Sequence, residues 1–562
     1  MKFTEKDIKT FRTVSLVAGV FTVVIAVTMI FSLVQLRIMN PLDNPAISMV
    51  TEQFDRDPDN MDKAEMVRAL DLMARKAYFS SRWQIETGSY LLLIGALVFV
   101  VFQRLVAGAE KPVRTLRSDK PDINAERTRN SKYLMISAAS LTAVAIISSF
   151  ILRNDLPAPG KKRSAGRESR TAAATVSIQL SEVNYPAFRG QGNNGIAGGT
   201  GYPTEWNGAT GLNIKWKIPN PKPGQSSPVI WGNKLFITGA GDGEIAIWCI
   251  DKNTGEILWK GSGKDFPEAS AEEPESDEDA GMAVPSPAVD DEFICAMFGN
   301  GNIVCYDHDG NFKWGKNMGV PSSTYGYTAS LLLYEKILIA QYDSQDKISI
   351  SGFDANNGDI KWETVRTGRP VNSSPALAIF DGAAEVVVNG NPNVSAYDPL
   401  TGKELWSVPG VSGDVAASSA INSNTVYVSS DYYKLLAIRH DRNVRALWED
   451  NYYTPGVPSP VANDDYVFLA LDHGDVACYN AQTGELLWNE ILNYPYYASP
   501  IICDGKVWML DRYGIMHIIE AADKFNIIAA NEIGEPTDAT PAFSEQKIYI
   551  RGRQNLYCVA ID

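Results

Sequence analysis

The run "FRGQGNNGIAGGTGYPTEW", Phe188 to Trp206, contains a G-x-G-x-x-G in Gly190, Gly192 and Gly195. That spacing could serve a dinucleotide, because a glycine turn lets backbone approach a pyrophosphate seated on a helix N-terminus. The chemistry needs a hydrophobic strand before the turn and a helix after it. Here the polar, proline-broken "QLSEVNYPAF" precedes the glycines and Pro203 follows them. The segment therefore predicts a loop and not a cofactor cradle.

The other reactive residue types are equally sparse in pattern. Six cysteines, Cys249, Cys295, Cys305, Cys478, Cys503 and Cys558, form no C-x-x-C and no adjacent pair, and four histidines are scattered. Zinc knuckles, thioredoxin chemistry, covalent haem and a histidine metal cluster are unsupported. Cys249, Cys305 and Cys478 each stand two residues before the Asp or Asn of a recurring turn. Equivalent positions in separate repeats point into separate cores, so the expectation is buried small hydrophobes without disulfides. The insertion "KDFPEASAEEPESDEDAG", residues 264–281, lacks the D-x-D-x-D-G order of a calcium loop and reads as solvated. A net charge of −15 argues against a nucleic-acid partner.

Two kinds of element must position whatever chemistry remains. The first third carries three charge-free apolar runs, at about 13–36, 87–103 and 133–152, each near the length of a membrane-spanning helix. The loop 104–132 holds eight basic residues and the longer loop 37–86 holds seven among many acids. The positive-inside rule puts the first loop and the N-terminus in the cytoplasm, and the loop 37–86 and everything after 152 outside. Met66, Leu70 and Met73 suggest a surface helix over 61–78. Residues 154–185 read as a linker, polar and Pro/Gly-punctuated at their start. The expected domains are thus a transmembrane unit, 1–153, the linker, and a unit over 186–562.

That last unit repeats itself. "PSPVANDDYVFLALDHGDVACYNAQTGELLW", ending at Trp488, has counterparts ending at Trp259, Trp314, Trp362, Trp406 and Trp448. A small residue followed by proline marks each start, at 228, 287, 375, 460, 500 and 541, with Leu331 and Ala420 at the corresponding places. Each unit holds four short apolar runs separated by D-G, N-G or T-G turns, which is a propeller blade. The eighth unit stops after three strands, and "LNIKWK" around Trp216 can supply its fourth, closing the ring. The fold expected is all-β: an eight-bladed propeller of four-stranded antiparallel blades behind a three-helix membrane domain. Seven blades is the alternative, because the seventh unit lacks its tryptophan. The tryptophans, Trp216 included, are expected to fill the wedge between blades.

The pattern "SAYDPLTGKELW" and "ACYNAQTGELLW" resembles the repeat of the pyrroloquinoline-quinone-type (PQQ-like) propeller family, over about residues 186–562. That family includes quinoprotein dehydrogenases and the periplasmic propeller of the outer-membrane barrel assembly machinery. The glycine-rich opening resembles the lead-in before blade one in such proteins, which implies a loop crossing the propeller face. The resemblance allows a membrane-bound quinoprotein oxidising sugars or alcohols with PQQ and calcium. Three departures oppose it: blades averaging about 44 residues without pocket-building insertions, no vicinal cysteines, and no matching calcium or catalytic acid positions. The expectation is a non-catalytic scaffold without cofactor or metal, in the bacterial inner membrane with its propeller in the periplasm.

Its partner face follows from the aromatic loops. "STYGYTAS", "NYYTPGVPSP" and "NYPYYASP" precede first strands, while "SDYYK" and "DRYG" join second to third strands, and both kinds of loop emerge on one face. Tyr325, Tyr327, Tyr432, Tyr433, Tyr452, Tyr453, Tyr496, Tyr497 and Tyr513, with Arg512, Arg551 and Arg553, are the candidate contacts for a protein partner.

Overall fold

The computed structural model describes residues 180–561, apart from 275–279, 442 and 493, and scattered helical positions within 11–28 and 92–106. The chain divides into two compact units, Met1–Glu168 and Ser169–Asp562. In the first, Gly19 packs against the Phe99 ring, Gly95 against Thr22, and Phe11 against Phe102 at 5.7 Å. No helix among the described residues is long and apolar enough to cross a membrane. The run at 133–152, the 61–78 helix and the 37–86 loop lie outside the described residues, as does the linker up to 179.

The second unit consists of eight four-stranded antiparallel sheets. Seven blades run in chain order from inner to outer strand. The eighth combines Ala542–Ser544, Lys547–Arg551 and Asn555–Val559 with Ile214–Pro219, so the two chain ends pair as the repeat predicts. Inner strands such as Val229–Trp231 are mostly buried, whereas the outer strand Ile257–Ser262 exposes Ile257, Leu258 and Lys260.

The tryptophan recurs for a reason visible at six of the eight junctions. One extra residue bulges each outer strand just before the tryptophan position, for example between the pairs Cys249↔Trp259 and Ile250↔Ile257. Such a bulge re-aims the next side chain. Trp314 then lays its ring on Gly358 in the next blade's turn and donates its indole N–H to Ala355 O at 2.8 Å. Trp216, Trp259, Trp362, Trp448 and Trp488 donate in the same way to Lys252, His308, Pro399, Ala481 and Ala522. Trp406 departs from this: its N–H goes to Glu385 in its own blade, where the next blade's turn lacks glycine and His440 stacks on Phe380.

One expectation is corrected here. Cys295 and Cys305 are joined by a disulfide across neighbouring strands of blade 2, with Cα atoms 4.2 Å apart. Comparing cysteines between blades overlooked the hairpin register within one blade. Cys249 and Cys478 are free and buried, as expected, and so are Cys503 and Cys558.

Candidate functional site

The glycine-rich lead-in plugs the central channel. Its segment from Glu182 to Ala197 reaches the innermost strand, or its first approach, in every blade. Tyr185 pairs with Ile230, Pro186 O accepts from Val289, and Ile502 exchanges hydrogen bonds with Gly195 and Ala197. Val183 O accepts from Ser544 Oγ, and Glu182 O from the Glu545 N–H. Asn193 Nδ2 donates to Leu331 O and Pro375 O, and Arg189 donates to Ser419 O and Pro460 O. These four carbonyls are equivalent, which moves the start mark of blade 5 from Ala420 to Ser419. Gly195 has a positive φ of 81°, and a Cβ there would lie 2.7 Å from Arg189 and 2.9 Å from Val461. The G-x-G-x-x-G is therefore spaced for chain packing inside the ring.

Above the plug, with Phe188 in its wall, opens a cavity of about 390 Å³. Its girdle is one hydroxyl per blade, from the residue before each start mark. The Ser227 N–H donates to Ser286 Oγ, and the relay continues through Ser330, Ser374, Ser418, Ser459 and Ser499 to Thr540 Oγ1, every step 2.8–3.0 Å. Each hydroxyl from Ser286 to Thr540 thus accepts a backbone N–H of the preceding blade. In the sequence the small residue and proline mark the blade starts, and the residue before each mark carries a hydroxyl in all eight units.

The mouth is formed by the loops before first strands and between second and third strands, as expected. It carries Asp414, Asp431, Asp472 and Asp538 with Tyr325 and Tyr497, and no lysine or arginine among the described lining residues. Asp538 is held by Arg512 Nε at 2.7 Å and Arg553 at 2.9 Å. The Arg512 guanidinium also lies 3.7 Å from the Tyr497 ring centre. Asp414, Asp431 and Asp472 have no lysine or arginine partner among the described residues. Burial, then Asp472 and Asp414, push the Asp431 carboxyl up to about 6.

The twelve candidate contacts separate by burial. Tyr432, Tyr452 and Tyr513 stand 80%, 79% and 60% exposed, with Tyr433, Arg512 and Arg553 also at the rim. Tyr325 and Tyr497 line the cavity. Tyr327, Tyr453, Tyr496 and Arg551 are buried, which corrects their assignment as surface contacts. In "NYYT" the chain bends, and Tyr452 faces out while Tyr453 is buried. Tyr496 is hydrogen-bonded with His517 Nδ1 at 2.9 Å, and Arg551 donates to Ser226 and Lys222 at the ring seam.

Fold and site together define an eight-bladed, internally plugged propeller with a blind polar funnel on one face. A family model described as outer membrane protein assembly factor BamB matches residues 170–324, 278–489 and 445–536, and the chain belongs to this family. The outer membrane protein assembly factor BamB of Burkholderia pseudomallei is 22% identical over 341 residues, 58% of this chain and 81% of that protein. The solved BamB of Moraxella catarrhalis superposes with a TM-score of 0.48 at 17% identity, over 62% of this chain and 97% of that one. The quinohemoprotein alcohol dehydrogenase of Comamonas testosteroni gives 0.48 at 11% identity, over 67% and 80%.

Proposed function

We propose that this chain is a membrane-anchored periplasmic propeller that holds a protein partner on its funnel face and performs no catalysis. The observation that carries the reading is the arc of exposed tyrosines, Tyr432, Tyr433, Tyr452 and Tyr513, on the loops of blades 5 to 7 beside the cavity mouth. Tyrosine offers rigid apolar area with a polar tip and concentrates at protein interfaces. Membership of a family of outer membrane protein assembly factors supports a role in envelope assembly. The anchor is supported by the three apolar runs and by Val17, Val20, Phe21 and Val24, apolar side chains exposed on the first helix. A propeller needs no anchor to fold, so the partner is expected at the inner membrane or in the periplasm beside it.

The quinoprotein alternative fits this cavity poorly. PQQ is a tricarboxylate, and the funnel presents four aspartates without a lining lysine or arginine among the described residues. Replacing Tyr432, Tyr433, Tyr452 and Tyr513 together with serine is expected to leave the melting temperature unchanged and to abolish recovery of the partner captured by wild-type protein. Undiminished recovery would overturn the reading. So would a rise in melting temperature on adding PQQ with calcium beyond that seen with calcium alone.

A further inference from the structure

We infer that the funnel is a socket for a cationic side chain, a lysine or arginine presented by the partner polypeptide. The inference rests on the reading of this face as the partner site and specifies the chemistry that enters it. Three features converge. Asp414, Asp431 and Asp472 crowd one sector of the mouth without a lysine or arginine partner among the described residues, whereas Asp538 is occupied by two arginines. Beneath them the girdle hydroxyls are more than nine-tenths buried, and those from Ser286 to Thr540 each accept a backbone N–H. Among the described residues no protein acceptor takes their own hydrogens, so these donors line the cavity unspent. Buried hydroxyls without an acceptor, and carboxylates crowded together without a lysine or arginine, cost free energy that a suitable ligand recovers.

The plug decides the shape of what enters. With Phe188 and the Arg189–Asn193 contacts closing the channel, a chain cannot thread through. A side chain or chain end can enter while the rest of the partner stays on the tyrosine rim. An ammonium or guanidinium satisfies the aspartates, and a carbonyl of a chain end that reaches below them accepts from the serine hydroxyls. Neither a simple anion nor an apolar group meets both demands. Burial, and after it repulsion from Asp472 and Asp414, raise the Asp431 carboxyl; the cation relieves the repulsion, so entry should favour the ionised form.

The test uses full-length protein in detergent and a fluorescent octalysine peptide followed by anisotropy. The variant D414N/D431N/D472N keeps side-chain shape and is expected to lose at least about tenfold in affinity. A control of equal charge change on the acidic insertion, D265N/E272Q/E273Q, is expected to lose less than about twofold, since exposed charges act through a screened field. Equal losses in the two variants, or none in the first, overturn the inference. Spermidine, with ammonium groups and no peptide carbonyl, is expected to compete weakly; competition equal to the peptide's would make this a small-cation site and overturn the polypeptide assignment. If the triple-asparagine variant retains a partner that the tyrosine variant loses, the socket is wrong and the partner face stands. If the tyrosine variant also retains it, the reading of the face itself fails.

Discussion

Asp431 concentrates the tension of the funnel in one carboxyl. Desolvation acts first and the facing Asp472 and Asp414 add to it, while the Tyr432 N–H and His473 pull the other way, leaving it at about 6. A folded-state value above the unfolded one near 4 means that the ionised group destabilises the fold. Its favourable contribution is complete below pH 4 and lost as pH rises through 6. Asp431→Asn is therefore expected to melt higher than wild type at pH 7.5, by about 1 °C for this half-exposed site, with the gap closed at pH 4. Calorimetry at the two pH values checks it, and a variant that melts lower at pH 7.5 contradicts it. Burial also separates residues that sequence treats alike: Arg551 and Arg553 are both arginines of one hairpin, yet the first is sealed at the seam and the second meets Asp538 at the rim.

At the scale of the element, the repeat motif is a joint between blades. A Cβ on Gly358 would fall 2.6 Å from the Trp314 ring, at a φ of 76° that disfavours any side chain. Gly358→Ala is expected to cost about 1–3 kcal/mol, and Trp314→Ala about 3–5 kcal/mol. Because the first substitution clashes with the ring that the second removes, the double variant should cost less than the sum. Urea unfolding of the four proteins measures the coupling, and strict additivity would contradict a joint. The same joint explains the seventh blade. Ala529 stands at its tryptophan position, and the neighbouring third strand ends at Val559 without a turn, since its partner strand comes from the other end of the propeller. There the seam is closed by the Ala560 N–H on Asn213 O, and Ala529 packs against the hydrophobic cluster in which Trp206 is buried.

For the whole molecule, ring closure is the largest single commitment. Ile214–Pro219 pairs only with Asn555–Val559 in its sheet, so the eighth blade depends on residues more than 300 positions apart. Deleting 555–562 should leave two open sheet edges and convert the protein to aggregate. Replacing Asp265, Glu268, Glu272 and Glu273 in the acidic insertion by their amides, which leaves the packed Phe266 and the Ser270 hydrogen bonds in place, should leave it monodisperse. Size-exclusion chromatography of the two variants compares them directly; soluble protein from the first would contradict a velcro closed by the chain ends.

What could be read without coordinates was whatever repeats. Blade number, strand order, the closing strand and the shared face of the tyrosine loops all follow from period and turn chemistry, because each blade must bury both faces against copies of itself. The three apolar runs were legible by the same kind of local rule, as length and absence of charge. The site was legible only in part. The hydroxyl girdle was present as a serine or threonine before each blade's start mark, but eight residues spread over more than 300 positions become one surface only when the ring closes. The glycine-rich lead-in was recognisable as a loop, whereas its role as a plug depends on carbonyls contributed by distant blades. The inward turn of Tyr453 and Tyr496 and the Cys295–Cys305 pair depend on register and burial, which no single stretch of chain encodes. Local interactions specify the blade; the axis, and everything facing it, exists only in the closed ring.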